Sequence, residues 1–340
     1  MINVGVLGLG MMGLTHLNVY QKRSDVHVVA ISDKLPDRLE GKVKAAGNIE
    51  GMAKGGFDYA SARKYLEGVD LIRDPEVQVV DICLPTPMHL EFARMALEAG
   101  KHVLLEKPMC RSAADAKQLS AAARNAKGLT MVAMCMRFWP GWTWLKAAVA
   151  EQRYGKVLAA HFRRLSTHPG GSFYRNGELS GGGILDFHIH DTDFVQHLFG
   201  MPESVYSVGY SKITSEIDHV ITHYRYPNVP LVVAEGGWAM APGFQFKMQY
   251  TVNFERATAV YDHGTPKPLM LYEPPKEPQA VQLEAGMGYD YEIAYFLDCI
   301  RNGQPPKIVT LKDAINSLRI VEAESQSAKT GLPVSLEAGI

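Results

Sequence analysis

Lys107 stands in the tripeptide Glu106-Lys107-Pro108, directly after the apolar run His102-Val103-Leu104-Leu105. A primary amine on a long stem, walled in by a strand and a proline, can donate or share a proton near neutral pH. The neighbouring Glu106 carboxylate opposes the lowering of the amine's pKa by burial. The plain alternative is a surface lysine at a strand end. A second polar cluster runs Asp186-Phe187-His188-Ile189-His190-Asp191-Thr192-Asp193, with His197 beyond. On one helix, Asp186, His190, Asp193 and His197 share a face, because residues three and four apart are neighbours. His190 then has a carboxylate on both sides, which fixes its tautomer and supports the positive charge of a base accepting a proton.

A nucleotide is announced earlier. Gly8-Leu9-Gly10-Met11-Met12-Gly13 fits GxGxxG after a strand and at the head of a helix, where backbone amides approach a pyrophosphate. Asp33 ends the second apolar strand, about 20 residues on, where an acid accepts from the ribose hydroxyls. That carboxylate favours NAD and repels the 2′-phosphate of NADP. Lys34 follows and can reach toward a phosphate, so NADP stays open. Pro85-Thr86-Pro87-Met88-His89 follows another strand at the same carboxyl edge, with Pro85, Thr86, His89 and Glu106 as further cofactor contacts. His89 has an equal claim as the cap of the next helix.

The elements that must place these groups are legible as patterns. Apolar runs at Val4 to Leu7, Val26 to Ile31, Val77 to Leu84 and His102 to Leu105 alternate with helical patterns at Met12 to Lys22, Leu90 to Ala99 and Ala113 to Ala126. This is a doubly wound parallel sheet, α/β in class. Residues 1–126 are expected to form this nucleotide domain and 127–340 a substrate-binding and oligomerisation domain. The latter reads as α+β with a large, mostly antiparallel sheet: helices at Trp142 to Glu151 and Ile184 to Leu198, a strand near Val157 to Leu165, a polar loop from Thr167 to Gly183, then alternating strands from Val205 to Leu283. Helices at Tyr289 to Arg301 and Leu311 to Ala328 close the chain.

Composition excludes several partners. Lys+Arg 35 against Asp+Glu 36 leaves a net charge of -1, and no dense basic run offers itself to nucleic acid. No apolar stretch reaches the roughly 18 residues of a membrane helix. The start lacks a basic region and a cleavage site, so it reads as the first strand. Cys83, Cys110, Cys135 and Cys299 are scattered without a CxxC, which suits reduced thiols in a cytoplasm.

In this order, Gly8 to Gly13, Asp33, Pro85-Thr86 to His89, Glu106-Lys107-Pro108, Met136-Arg137-Phe138, Gly181-Gly182-Gly183 leading to Asp186 and His190, and Asn302-Gly303-Gln304-Pro305 resemble the Gfo/Idh/MocA oxidoreductase family over nearly the whole chain. The resemblance implies a Rossmann domain, then a domain whose open sheet forms the interface of homodimers or homotetramers. It implies Lys107, Asp186 and His190 as a catalytic trio and a cis peptide before Pro108. It also implies sugars, polyols such as inositol, or their acids and phosphates as substrates. One departure is His188, where the family usually has a small residue; its ring either enters the pocket or points behind the helix.

The expected activity is NAD(P)-dependent oxidation of a secondary alcohol of a sugar, polyol or cyclitol. His190 takes the hydroxyl proton, Lys107 stabilises the developing alkoxide and Asp186 holds the geometry. Arg137, Trp139, Tyr174 and Tyr289 are candidate substrate contacts. No metal is expected. The alternatives are a redox-neutral enzyme or sensor that retains its NAD, and a metal-dependent enzyme built on His188, His190 and Asp193.

Overall fold

The computed structural model describes residues 1–43 and 56–336. The chain divides into two compact units, Met1–Cys135 with Gly288–Ile315, and Met136–Met287 with Asn316–Ile340.

The first unit holds β1 (Ile2–Leu7), α1 (Met11–Tyr20), β2 (Val26–Ser32), α2 (Pro36–Leu39), β3 (Arg63–Tyr65), α3 (Gly68–Arg73), β4 (Val79–Ile82), α4 (His89–Glu98), β5 (His102–Glu106), α5 (Ala113–Arg124) and β6 (Thr130–Ala133). Its sheet runs β3-β2-β1-β4-β5-β6, and every pairing in it is parallel. Such strands are buried on both faces, which is why β1 and β4 read as mostly apolar runs, with Asn3 and Asp81 as their polar members. The strand order reverses between β1 and β4. Ligands of open α/β sheets bind beyond the carboxyl ends of the strands at that point. Gly8, Asp33, Cys83 and Lys107 each follow directly on a strand at this edge.

The division differs from the expected cut at 126/127. β6 pairs in register with β5, from Val103↔Thr130 to Glu106↔Ala133, so the sheet is completed only after residue 133. The chain also returns to this unit late, through α11 (Gly288–Arg301), which packs on α1.

The second unit comprises α6 (Pro140–Ala150), β7 (Val157–Thr167), the short helices α7 (Ser172–Arg175), α8 (Gly177–Ser180) and α9 (Gly182–Asp186), then α10 (Ile189–Phe199), β8 (Ser204–Tyr210), β9 (His219–Arg225), β10 (Leu231–Met240), β11 (Lys247–Phe254), β12 (Thr258–Asp262), β13 (Leu269–Tyr272), β14 (Gln279–Ala280) and β15 (Val334–Ser335). Helix α12 (Leu311–Thr330) starts in the first unit and continues into this one. Nine strands form one sheet in the order β14-β13-β12-β11-β7-β10-β9-β8-β15. Only β7 and β10 pair in parallel. One face is the core, where Trp142 of α6 meets Phe162, Phe194 and Tyr250 edge-on or tilted. The other face presents Tyr206, Val208, Tyr210, Ile221 and Leu231, each between 39 and 59% exposed.

The expected helix from Ile184 to Leu198 is two helices. The amides of Phe187 and His188 both donate to the Gly183 carbonyl, at 3.1 and 2.8 Å. The i→i−5 bond of His188 widens the turn and ends α9 before α10 begins. Asp186 and His190 therefore lie on different helices.

Candidate active site

The glycine loop is built for close backbone approach. Gly8 has φ +88, and a Cβ there would stand 2.6 Å from the Cys83 carbonyl oxygen; one on Gly13 would overlap the Gly8 carbonyl oxygen. Gly10 faces open space and caps α1 without a side chain. The first-turn amides of α1, with Met11 and Met12 half-buried beside them, thus head a helix N-terminus suited to a pyrophosphate. Asp33 is drawn to the loop: its Oδ2 accepts from Leu9 N at 2.9 Å, and its Oδ1 from Leu35 N at 2.9 Å. These residues fit a dinucleotide. The sequence reading missed Arg38, whose Nη1 donates to Asp33 Oδ2 at 3.1 Å. The N-terminus of α2, where Pro36 sits in the first turn, was the signal that a short helix follows Asp33. Lys34 is exposed.

At the β4 end, Thr86 is buried and Pro85 exposed. His89 is buried with both nitrogens on backbone carbonyls, Nδ1 2.9 Å from Pro108 O and Nε2 2.8 Å from Leu84 O. Burial lowers its pKa, and a neutral ring donates its single N–H to one of these two carbonyls. The ring thereby packs against the loop that carries Lys107. The Lys107–Pro108 peptide is cis, and Lys107 is half-buried. Glu106 is buried, its Oε2 accepting from Lys107 N at 3.0 Å.

In the second unit the polar cluster divides by burial. Asp191 is fully buried against Arg164, which donates from Nε at 2.8 Å. Asp193 is buried in a two-pronged pair with Arg137, Nε to Oδ2 and Nη2 to Oδ1, each 2.8 Å, and Ser317 Oγ donates to its Oδ1 at 2.8 Å. The expected row of Asp186, His190, Asp193 and His197 on one helix face does not form, because the helix breaks and Asp193 turns into the core. Arg137, 4% exposed, is held in that pair. Asp186 and His190 are the two members left half-buried with His197.

His188 points behind the helix. It is 0% exposed, and a Cβ on Gly236 of β10 would stand 2.8 Å from its Cγ, so the glycine makes room for the ring. Burial first, then the charges of Arg164 and His219, drive its pKa down to about 3. Its Nε2 lies 3.8 Å from Glu324 Oε2, but this is no ion pair at neutral pH. Burial pushes the Glu324 carboxyl up to about 8 while Tyr224 and Thr192 hydrogen-bond it. His188, His190 and Asp193 bring no three ligand atoms together. Among the described residues the one group of three such side chains within 4.8 Å is His16, Asp81 and Cys83, already cross-linked by hydrogen bonds.

Each of the other expected substrate contacts packs against an aromatic neighbour. Trp139 is buried, its edge against His263 at 5.4 Å between centroids, and lines a cavity of about 450 Å³ with Tyr261, His263 and Lys267. Tyr174 is half-buried and sits edge-on to Trp238. Tyr289 lies within the first unit, 7% exposed, its ring 6.3 Å from that of His16.

Two family models cover most of the chain. Residues 2–134 match the oxidoreductase family with an NAD-binding Rossmann fold, and residues 142–260 match the Gfo/Idh/MocA C-terminal domain. Among similar proteins, scyllo-inositol 2-dehydrogenase (NAD(+)) of Bacillus subtilis is 24% identical over 99% of this chain and 96% of its own length. Myo-inositol 2-dehydrogenase of Thermotoga maritima is 26% identical over 99% of each. The solved structure of levoglucosan dehydrogenase in complex with NADH and levoglucosan superposes with a TM-score of 0.85 at 20% identity, over 99% of this chain and 100% of that one. With the 3-2-1-4-5-6 sheet, the glycine loop and both halves matched in order, the chain belongs to the Gfo/Idh/MocA family and is an NAD-binding oxidoreductase.

Proposed function

We propose that this protein is an NAD-dependent dehydrogenase oxidising a secondary alcohol of a sugar, polyol or cyclitol, with Lys107, Asp186 and His190 as its catalytic residues. One observation carries the reading. Within the polar cluster, His188, Asp191 and Asp193 are consumed in buried contacts, while Asp186 and His190 stay half-buried. Lys107 is likewise half-buried at the carboxyl edge of the Rossmann sheet, beside a buried Glu106. The inositol and sugar dehydrogenases among the relatives support the substrate class.

In this mechanism the His190 imidazole takes the hydroxyl proton and Asp186 orients it. Lys107 Nζ donates to the same oxygen and stabilises its developing negative charge, a contribution of about 3 kcal/mol when water is excluded. NAD, when bound, supplies the hydride acceptor; Gly8, Gly10, Met11, Met12, Gly13 and Asp33 would hold it, with Lys34, Pro85 and Thr86 as further proposed contacts. The test mixes purified protein with NAD and a panel of myo-inositol, scyllo-inositol, levoglucosan and L-sorbose, following reduced-nicotinamide absorbance. Turnover that survives unchanged in Lys107→Ala and His190→Ala would sink the mechanism.

The exposed apolar face of the nine-stranded sheet supports pairing with a second copy, giving a homodimer or homotetramer. Light scattering of Val208→Lys/Ile221→Lys against the unaltered protein reads this directly, and an unaltered chain that runs as a monomer refutes it. All four cysteines are unpaired thiols, which supports a cytoplasmic location. No helix among the described residues is long and apolar enough to cross a membrane.

A further inference from the structure

We propose that His16 is a positioning residue for Lys107, holding the Glu106 carboxylate against the Lys107 backbone amide from beneath the sheet edge; this rests on the catalytic role proposed for Lys107. His16 is on α1, three residues beyond the last glycine of the loop, and 0% exposed. Its two ring nitrogens face two carboxylates. Nδ1 is 2.8 Å from Asp81 Oδ2, and Nε2 is 3.3 Å from Glu106 Oε1. The second oxygen of Glu106 accepts the Lys107 amide at 3.0 Å. A continuous line thus runs from β4 through the imidazole to Glu106 and on to the backbone of Lys107.

The surroundings account for a histidine here. Asp81 is itself fixed, with Tyr20 Oη donating to Oδ2 at 2.9 Å and Cys83 Sγ to Oδ1 at 3.5 Å. Asp81 and Glu106 are both buried, and two carboxylates beside one ring favour a positive charge on it; the Glu106 contact is an ion-pair approach without hydrogen-bond alignment at Nε2. Burial alone would strip that charge, but Asp81 and Cys83 outweigh it and hold the ring's pKa well above the usual histidine range. Glu292 of α11 completes the cluster. It is fully buried with no hydrogen-bond partner on either carboxyl oxygen. Burial, together with the charges of Glu106 and Asp81, keeps its carboxyl far above the carboxylate range. The His16 charge pulls the other way without overcoming that burial. Without the ring, the buried Glu106 carboxylate loses the cationic neighbour that faces its Oε1, and a buried carboxylate so weakened turns to water or takes a proton. Either change releases the Lys107 amide.

The experiment compares the full-length protein with His16→Leu, His16→Gln, Lys107→Ala and His16→Leu/Lys107→Ala. Hydrogen exchange of the cofactor-free protein reads the positioning itself. In His16→Leu the Lys107 amide should lose protection by about 10-fold or more while Val103 and Leu104 of β5 keep theirs, with His16→Gln intermediate. Should His16→Leu fail to fold, His16→Gln carries the same readout. NAD-dependent turnover of the most active of myo-inositol, scyllo-inositol, levoglucosan and L-sorbose should fall in kcat by about 10-fold or more, with NADH affinity within about 3-fold of normal. In the Lys107→Ala background the His16 change should cost nothing more. Unchanged Lys107 exchange, or kcat losses that multiply in the double variant, would overturn the positioning role. Full turnover in Lys107→Ala would instead bring down the role of Lys107, while the exchange result still reports separately on the His16–Glu106 contact.

Discussion

Arg137 offers the sharpest contrast between a substrate-binding and a framework role. In Arg137→Met the two charge-assisted hydrogen bonds to Asp193 vanish, leaving a carboxylate that is 1% exposed in its side chain with the Ser317 hydroxyl on one oxygen. Removing one partner of a buried pair costs about 3–5 kcal/mol, most of it the uncompensated charge that remains. For a unit of this size that corresponds to a fall of roughly 6–20 °C in melting temperature. Adding Asp193→Asn removes the stranded charge and keeps an acceptor for Ser317, so the double variant should recover most of the loss. The assay is thermal and denaturant unfolding of the two single variants and the double, with KM for the best substrate measured well below each melting point. The framework role requires a large stability loss, strong coupling in the double variant and a KM within about 3-fold of normal. An Arg137→Met protein that melts like the unaltered chain while its KM rises 10-fold or more would refute it and return Arg137 to the substrate.

Three further outcomes are expected. Gly236→Ala drives a methyl into the buried His188 ring and should destabilise by about 1–3 kcal/mol; His188→Ala should relieve part of this, and a fully stable single variant would show that His188 points elsewhere. Glu324 keeps its proton in the folded state up to about pH 8, whereas in the unfolded chain it ionises near 4.5. Stability should therefore fall as pH rises through that window, and Glu324→Gln should flatten the fall measured by urea titration. An unchanged slope would refute the buried neutral acid. Asp33→Ala removes the acceptor for Leu9 N and releases Arg38. The KM for NAD should rise by about 10-fold and that for NADP should fall. Parallel loss with both cofactors would mean that Asp33 serves the loop and not the choice of nucleotide.

Local pattern and spacing determined much of this protein. Buried parallel strands favour largely apolar runs, so the doubly wound sheet and its order of elements were written plainly in the first part of the chain. Gly8 and Gly13 were legible because close backbone approach leaves no room for a Cβ, and Asp33 because an acid ends a strand about 20 residues on. Lys107, Asp186 and His190 were legible as candidates, at a sheet edge and in a polar cluster. Tertiary structure decided which polar residues were spent on the core. Arg137 and Asp193 are 56 positions apart, and no local spacing reveals that each neutralises the other. The i→i−5 turn at His188 falls on Phe187 and His188, neither of them a helix breaker, so the periodicity ran straight through it. Gly236 made room for His188 from another strand. His16 looked like an ordinary helix residue until folding set Asp81 and Glu106 on either side of its ring. Residue type reports what a side chain can do, but burial and partners, set by residues far away in sequence, decide whether it is left able to do it.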